Sequence, residues 1–285
     1  MDINADTILL GLLGNPIGHS LSPRLHNAVF ADMGINAVYL PFSLQASQLG
    51  QAIYGLQSLG FRGVNVTIPF KESVVPYMDE LSVEARDCGA VNVIHFENNK
   101  MIGHNTDGAG FIQALREEDV AVKGRAMILG AGGAARSIVA ALARAGMNEI
   151  EIFDIEAGRA EHLASLIPVS SGTRIKGRLL TEADFSRSAR ESNLIINCSP
   201  VGMYPRTDAA PVENLNSVQP QTVIVDIIYN PEETRFLQLG RKQGCKTLNG
   251  VPMFVHQAAL TLQILLEISP QIEFMKEVVR HSLKK

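Results

Sequence analysis

The feature that most constrains the fold is a glycine-rich turn between an apolar strand and an alanine-rich helix. Residues 126–129 form a short apolar run, and an alanine-rich helical pattern extends to about residue 145. The turn between them matches G-x-G-x-x-A, in which the glycines permit a tight turn and let backbone amides approach a pyrophosphate. The helix N-terminus adds a partial positive charge. The motif predicts dinucleotide binding by Gly130, Ala131, Gly132, Gly133 and Ala134; the structural alternative is an ordinary glycine turn of an α/β protein.

An acidic residue ends the next predicted strand, at residues 149–154. Asp154 follows Gly130 by 24 positions, near the offset of about 20 expected for the acid that accepts a hydrogen bond from a ribose 2′-hydroxyl. A carboxylate there also repels a 2′-phosphate. Ile155 and Glu156 supply no arginine to offset it, although Arg159 is close. The pattern predicts NAD rather than NADP; the alternative for Asp154 is a helix N-cap.

Strands alternate with helices along the chain, which predicts an α/β fold with parallel sheets and two domains. Predicted strands lie at 7–14, 38–42, 63–68 and 90–96, and then at 126–129, 149–154, 193–197, 222–226 and 246–248. A helix is expected from Ser22, as N-cap, to Gly34. Two more helices are expected at 252–268 and from 270. Strand and loop are hard to separate at 168–184.

Composition excludes several other classes. The 285 residues are 46% hydrophobic and 19% charged, as in globular proteins, and the net charge of −4 comes without the basic face of a nucleic-acid binder. Three scattered cysteines argue for a reducing compartment, and the histidines lack metal-ligand spacing, so no metal is expected. Neither a signal peptide nor a span of about 20 apolar residues is evident, so we expect a cytoplasmic protein without membrane contact.

Several longer motifs resemble the shikimate/quinate dehydrogenase family almost from end to end. They are Ser-Leu-Ser-Pro at 20–23, Asn-Val-Thr-Ile-Pro-Phe-Lys-Glu at 65–72, Gly-His-Asn-Thr-Asp-Gly at 103–108, Asn-Cys-Ser-Pro-Val-Gly-Met at 197–203, Asp-Ile-Ile-Tyr-Asn-Pro at 226–231 and Met-Phe-Val-His-Gln-Ala at 253–258. Their order and spacing make the resemblance far more specific than the glycine turn alone.

The resemblance implies a substrate-binding and catalytic α/β domain at 1–107 and a Rossmann-type NAD-binding domain at 108–249, separated by a cleft. Helices at 250–285 would return to the substrate domain. Lys71 and Asp107 would be the catalytic pair. With them, the hydroxyls and carboxylate of a cyclic hydroxy acid would be held by Ser20, Ser22, Asn65, Thr67, Asn92, Tyr229 and Gln257. Beyond the glycine turn and Asp154, cofactor contacts would come from Arg159, Ser199, Val201, Gly250 and Met253.

The chain departs from the family pattern in two places. Members that use NADP usually carry Asn-Arg-Thr where this chain has Asp154-Ile155-Glu156, which resembles the NAD-linked quinate/shikimate branch. The stretch 249–252 reads Asn-Gly-Val-Pro where a Gly-Gly pair is common, and Pro252 stiffens the helix start.

Simpler interpretations stand beside these roles. Lys71 alone would be a solvated loop lysine, and His104 is interpreted as a partly exposed loop histidine. Asn65 and Thr67 alternate on a strand and so share a face, where they bind ligand hydroxyls or form a buried hydrogen-bond pair. Gln257 is otherwise a helix-face amide, and Tyr229 the end of a strand.

Three functions therefore compete. The first is NAD-dependent oxidation of a hydroxyl on shikimate or quinate. The second is a dehydrogenase for an amino-substituted or other cyclic hydroxy acid. The third is a catalytically silent NAD-sensing module, which has no need of the Lys71–Asp107 pair. The expected partner is a small cyclic hydroxy acid; whether the chain forms a homodimer is left open.

Overall fold

The computed structural model describes residues 3–168 and 172–284, and the chain divides into two compact units. The first unit comprises Met1–Gly110 and Val255–Lys285, and the second comprises Phe111–Phe254. Each unit contains its own six-stranded sheet with helices around it. The predicted α/β fold class is therefore confirmed.

The first unit contains six strands among the described residues. In chain order the elements up to the second unit are β1 (Ile8–Gly14), α1 (Ser22–Met33), β2 (Ala37–Ser43), α2 (Leu49–Ser58), β3 (Gly63–Val66), β4 (Glu80–Leu81), α3 (Val83–Cys88), β5 (Val93–Glu97), β6 (Lys100–His104) and α4 (Asp107–Glu117).

The sheet of the first unit has the order β2-β1-β3-β5-β6-β4 and is mixed rather than parallel. Strands β1, β2 and β3 pair in parallel, whereas β5 runs antiparallel to both β3 and β6. The prediction of a parallel sheet was wrong for this half. The tight turn at Asn98 and Asn99, whose φ angles of 49° and 61° suit asparagine, joins β5 to β6 as a hairpin and reverses the chain direction between these two strands.

The second unit continues with six more strands among the described residues. Its elements, with those that follow to the end of the chain, are β7 (Arg125–Leu129), α5 (Gly133–Arg144), β8 (Glu149–Asp154), α6 (Arg159–Leu166), β9 (Arg174–Leu179), α7 (Glu182–Ala189), β10 (Leu194–Asn197), β11 (Val223–Asp226), α8 (Arg235–Lys242), β12 (Lys246–Leu248), α9 (Val251–Leu266) and α10 (Ile272–Leu283). Within the undecided stretch at 168–184, residues 169–171 lie outside the described residues.

The second sheet is parallel throughout and has the order β12-β11-β10-β7-β8-β9. This is the strand order of a Rossmann fold, in which the first strand lies at the point where the winding reverses. Successive residues of β7 are buried in different apolar clusters, Ile128 with Ile138 and Leu129 with Phe153. Both faces of the sheet are therefore covered, as parallel sheets require.

None of the helices in the described part of the chain is long and apolar enough to cross a bilayer.

Candidate active site

The predicted catalytic pair forms an ion pair within the first unit. Lys71 lies in the turn that follows β3, and Asp107 is the first residue of α4. Lys71 Nζ donates to Asp107 Oδ2 at 2.6 Å, and the two side chains are only 16% and 8% exposed. The interpretation of Lys71 as a solvated loop lysine is therefore wrong. The pair is held where water has limited access to either charge.

Asn92 fixes the orientation of the Asp107 carboxylate. Asn92 Nδ2 donates to Asp107 Oδ1 and to Thr106 Oγ1, both at 2.9 Å, while Asn92 Oδ1 accepts from the amide of Thr106 at 2.8 Å. Asn105 Oδ1 also accepts from the Asp107 amide at 3.1 Å. The contributions of Asn105 and Thr106 were missed from the sequence, although both stand inside the motif that contains Asp107.

Asn65 is linked to the same group of residues. Its Nδ2 donates to the carbonyl oxygen of Asn92 at 3.1 Å, and it is 7% exposed. Thr67 was predicted to share the strand with Asn65, but β3 ends at Val66. The Thr67 amide still donates to the Leu13 carbonyl oxygen at 2.8 Å, so its backbone stays alongside β1.

The two serines of the first motif lie at the start of α1. Ser22 does not act as an N-cap: α1 begins at Ser22 itself, its N-cap is Leu21, and no side chain caps it among the described residues. The amide of Ser22 instead donates to Ser20 Oγ at 3.3 Å. The predicted end of this helix is confirmed, because Gly34 adopts the left-handed conformation with φ 65°.

Gln257 and His104 belong to the same unit as the catalytic pair. Gln257 lies on α9, and a Cβ at Gly110 would lie 2.7 Å from its backbone nitrogen, so only glycine permits this close packing. His104 is the last residue of β6 rather than a loop residue. Burial lowers the pKa of His104, whose Nε2 is buried with no hydrogen-bond partner among the described residues.

In the second unit, the glycine-rich turn connects β7 to α5, as predicted. Gly130 has a φ of 98°, and a Cβ there would lie 3.0 Å from the backbone nitrogen of Ser199. Backbone geometry and close packing therefore both require glycine at this position. The contact also brings the turn beside the Ser199 loop, another predicted cofactor segment.

The conformation and surroundings of Gly132 indicate whether the turn fits a dinucleotide. Its φ of −89° is accessible to any residue, and a Cβ there would meet no described protein atom within 4 Å. The fold itself therefore does not require glycine, whereas a ligand approaching the backbone would. Among the described residues no side chain caps α5, and its first turn has no acidic residue. The N-terminal amides of this helix, at Gly133 and Ala134, suit a bound phosphate.

Asp154 ends β8 and anchors the turn. Its Oδ2 accepts from the amide of Ala131 at 2.8 Å, and its Oδ1 accepts from the amide of Glu156 at 3.0 Å. The alternative that Asp154 is a helix N-cap is wrong, since α6 begins at Arg159 with Gly158 as its N-cap. Each carboxylate oxygen can still accept a second hydrogen bond, which leaves room for a hydroxyl donor. The Ala131 amide, by contrast, is already used inside the protein.

Arg159 is engaged by a neighbouring acid. Arg159 Nη1 lies 3.1 Å from Glu156 Oε1, and both side chains are largely exposed. Ile155, between the two acids of this segment, is 77% exposed. The segment after β8 therefore has one buried carboxylate, Asp154, one exposed carboxylate, Glu156, and an arginine that is already paired.

The loop that carries Ser199 and Val201 is held by buried polar residues that the prediction left out. Asn197 Oδ1 accepts from both the amide and the hydroxyl of Ser199, and its Nδ2 donates to the Val201 carbonyl oxygen at 3.3 Å. The same Nδ2 donates to Asp226 Oδ1 at 3.1 Å, and Thr234 Oγ1 donates to Asp226 Oδ2 at 2.7 Å. Burial raises the pKa of Asp226 to about 6.

The remaining predicted residues lie between the end of β11 and the start of α9. A Cβ at Gly250 would lie 2.0 Å from the carbonyl oxygen of Ile227, so the chain passes closer here than a side chain allows. Met253 is 8% exposed and belongs to the apolar core of the second unit. Tyr229 lies three residues beyond β11 and stacks on Phe254 with ring centroids 4.6 Å apart. Tyr229 is therefore not simply the end of a strand.

Comparisons with known proteins show which family this chain resembles. Residues 12–94 match the family model described as the shikimate dehydrogenase substrate binding domain. The chain is 45% identical over its whole length, and over 98% of the relative, to a protein of Syntrophomonas wolfei named shikimate dehydrogenase (NADP(+)). It is 32% identical, with a TM-score of 0.92 and 98% of both chains covered, to shikimate 5-dehydrogenase from Listeria monocytogenes in complex with shikimate and NAD. A quinate dehydrogenase from Corynebacterium glutamicum in complex with NAD is 28% identical, with a TM-score of 0.88, over 96% of this chain and 99% of that one.

Proposed function

This chain belongs to the shikimate dehydrogenase family, and from that membership we propose that it is an NAD-dependent dehydrogenase acting on a ring hydroxyl of shikimate or quinate. The observation that carries the proposal is the buried ion pair of Lys71 and Asp107, 2.6 Å apart and held by Asn92. A silent NAD-sensing module has no need to keep this pair.

The ion pair suits the proton half of the reaction. Oxidising a secondary alcohol requires removal of the hydroxyl proton, and the reverse reaction requires its return. In its neutral form Lys71 Nζ takes this proton, and as the ammonium it gives the proton back in the reverse reaction, while Asp107 Oδ2 holds the side chain of Lys71 in place. Asn92 Nδ2, by donating to Asp107 Oδ1, keeps the carboxylate from turning away. Proton transfer of this kind contributes about 10²–10⁴ in rate.

The first unit is the substrate-binding part of this proposal. Its residues Ser20, Ser22, Asn65, Thr67, Lys71, Asn92, Asp107 and Gln257 would hold the hydroxyls and carboxylate of the acid. Asn65 and Asn92 are buried, hydrogen-bonded amides, so they present oxygen atoms in fixed directions. Fixed polar groups of this kind give a small-molecule site its specificity.

The second unit is the dinucleotide-binding part. Gly130, Ala131, Gly132, Gly133 and Ala134 would contact the pyrophosphate, with Asp154 and Arg159 at the ribose and with Ser199, Val201, Gly250 and Met253 along the remainder. When bound, the dinucleotide supplies the acceptor for the hydride. The open space at Gly132 and the uncapped N-terminus of α5 support this assignment.

The choice of NAD rests on the segment after β8. A 2′-phosphate there would face the carboxylates of Asp154 and Glu156, and Arg159 is paired with Glu156. Many relatives are named for NADP(+), such as that of Syntrophomonas wolfei, whereas the similar Listeria structure contains NAD. Both cofactors thus occur among the relatives, and the residues of the segment after β8 in this chain favour NAD.

The deciding experiment is a steady-state assay panel in which shikimate and quinate are each crossed with NAD and NADP. We expect NADH formation with at least one acid, and slower turnover with NADP. NAD binding without turnover of either acid would favour the second candidate, a dehydrogenase for an amino-substituted or other cyclic hydroxy acid. Equal kcat/KM for both cofactors would overturn the assignment of NAD.

A further inference from the structure

A tyrosine outside the predicted site controls the orientation of Asn65. Tyr39 lies in the middle of β2, and its ring is 1% exposed. Its hydroxyl donates to Asn65 Oδ1 at 2.8 Å, in a buried contact between residues 26 positions apart. None of the motifs that resemble the family includes Tyr39.

Tyr39 is itself held from two sides by α1. Asn27 Oδ1 accepts from the Tyr39 amide, and Asn27 Nδ2 donates to the Tyr39 carbonyl oxygen, both at 2.9 Å. The preceding residue on the helix, His26, stacks on the tyrosine ring with centroids 4.3 Å apart and an interplanar angle of 14°. The tyrosine is therefore a fixed donor rather than a mobile one.

Thr261 holds the other end of the Asn65 carboxamide. Asn65 Nδ2 donates to Thr261 Oγ1 at 3.2 Å, in addition to the Asn92 carbonyl oxygen at 3.1 Å. Thr261 is fully buried on α9, and its hydroxyl donates onward to the carbonyl oxygen of Gln257 at 3.0 Å. Rotating the amide by half a turn would place Asn65 Oδ1 against the carbonyl oxygen of Asn92. One orientation of the carboxamide is therefore strongly favoured.

We propose that Tyr39 and Thr261 are positioning residues of the substrate site, which they serve by fixing the carboxamide of Asn65. The inference rests on the proposed function, in which Asn65 contacts the hydroxy acid. Both Nδ2 hydrogens of Asn65 are used inside the protein, while Oδ1 keeps one free lone pair. Asn65 therefore accepts a hydrogen bond from a substrate hydroxyl and does not donate to the substrate carboxylate.

The test compares Tyr39→Phe and Thr261→Val with the wild-type enzyme. Each variant removes one hydroxyl and frees the Asn65 amide to turn, so KM for the acid rises by about 10-fold, the equivalent of one neutral hydrogen bond. KM for the dinucleotide stays unchanged. Thr261→Ser, which keeps the hydroxyl, restores KM for the acid to within about two-fold. Tyr54→Phe is the matched control, because Tyr54 is 55% exposed and lies outside the network.

The double variant separates positioning from loss of stability. Both hydroxyls act through the same amide, so Tyr39→Phe combined with Thr261→Val raises KM by less than the product of the single effects. A role in stability alone would lower the fraction of folded enzyme and leave KM for the acid unchanged. Folded single variants with unchanged KM for the acid, or with equal shifts in both KM values, overturn the inference.

A second readout does not depend on turnover. If the wild-type enzyme turns over neither acid, the proposed function fails, but NMR of the Asn65 side-chain amide still reports its orientation. The positioning role is supported if the Nδ2 protons of Asn65 exchange slowly with solvent in the wild-type protein and exchange faster in Thr261→Val. Rapidly exchanging protons in the wild-type protein contradict it.

Discussion

Lys71 Nζ and Asp107 Oδ2 are joined across 36 positions of sequence by a hydrogen bond of 2.6 Å, and the second oxygen of the carboxylate is occupied by Asn92. Both partners of Asp107 are donors, so the carboxylate needs both of its oxygens as acceptors. The lysine is thereby held by a group that cannot turn without losing a buried hydrogen bond.

Replacing Lys71 by methionine keeps an unbranched side chain, one heavy atom shorter, and removes the proton-carrying atom. We expect kcat to fall by about 10²–10⁴, the usual contribution of a positioned acid or base. Dinucleotide affinity, measured by fluorescence titration, should not change. Lys100→Met is the matched control, because Lys100 is also ion-paired but is 55% exposed. Comparable kcat values for Lys71→Met and the wild-type enzyme would rule out a catalytic role.

Two glycines of the turn should respond differently to alanine. At Gly132 an added methyl group meets no protein atom, so the melting temperature stays the same while KM for the dinucleotide rises. At Gly130 the φ of 98° makes alanine unfavourable by about 1–2 kcal/mol, and unfolding occurs at a lower temperature. Thermal denaturation and cofactor titration of both variants check the contrast. Unchanged cofactor binding in Gly132→Ala would show that the ligand lies elsewhere.

Glu156→Gln should relax the preference for NAD. The change releases Arg159 and removes one carboxylate from the segment after β8. We expect the ratio of kcat/KM for NADP to that for NAD to rise by about five-fold, since exposed pairs of this kind are worth up to about 1 kcal/mol. Adding Arg159→Gln should cancel the gain, and Glu182→Gln on α7 serves as the control. Asp154→Ser is less informative, because it also removes the hydrogen bonds from Ala131 and Glu156.

Asp226 should titrate near pH 6. Burial raises its pKa in the folded protein to about 6, above the ordinary value of 3.8. The folded state therefore binds the proton more tightly than the unfolded chain. This contribution to stability is fully present below about pH 4 and is lost as the pH rises through 6, by at most about 1.4 kcal/mol per pH unit. A ¹³C NMR titration of the carboxyl group should give a midpoint near 6, and one below 4.5 would contradict the expectation.

His26 should have the opposite effect on stability. Burial lowers its pKa to about 3, and its Nδ1 has no hydrogen-bond partner among the described residues. The unfolded chain takes up the proton first, so stability is lost as the pH falls from about 6.5 towards 3. His26→Phe should flatten this decline in urea unfolding measured from pH 4 to pH 8. His281→Phe, at an exposed position on α10, should leave the decline as it is.

Local patterns of sequence were enough to predict most of the strands of the second unit. The bounds of β8 and β12 agree with their predicted ranges, because buried runs bounded by turn residues are local signals. The antiparallel β5 in the first unit was not predicted, since strand direction depends on which strands pair. The short β4 has only two residues and therefore shows no periodicity.

The polar contacts of the site were harder to predict from the sequence than its motifs were. Lys71 and Asp107 could be predicted because the resemblance covers both of their motifs. Tyr39 and Thr261 could not be predicted, since Thr261 meets Asn65 across 196 positions and neither residue differs locally from an ordinary core position. The anchoring role of Asp154 could not be predicted either, because its partners are backbone amides.

The discontinuous first unit also has a consequence for biosynthesis. Residues 255–284 belong with residues 3–110, and the bond between Asn65 and Thr261 is part of that association. On the ribosome, the Rossmann portion can fold once its own strands have emerged. The portion that carries the lysine and the aspartate has to wait for the late helices, and until then it is exposed to proteases and chaperones.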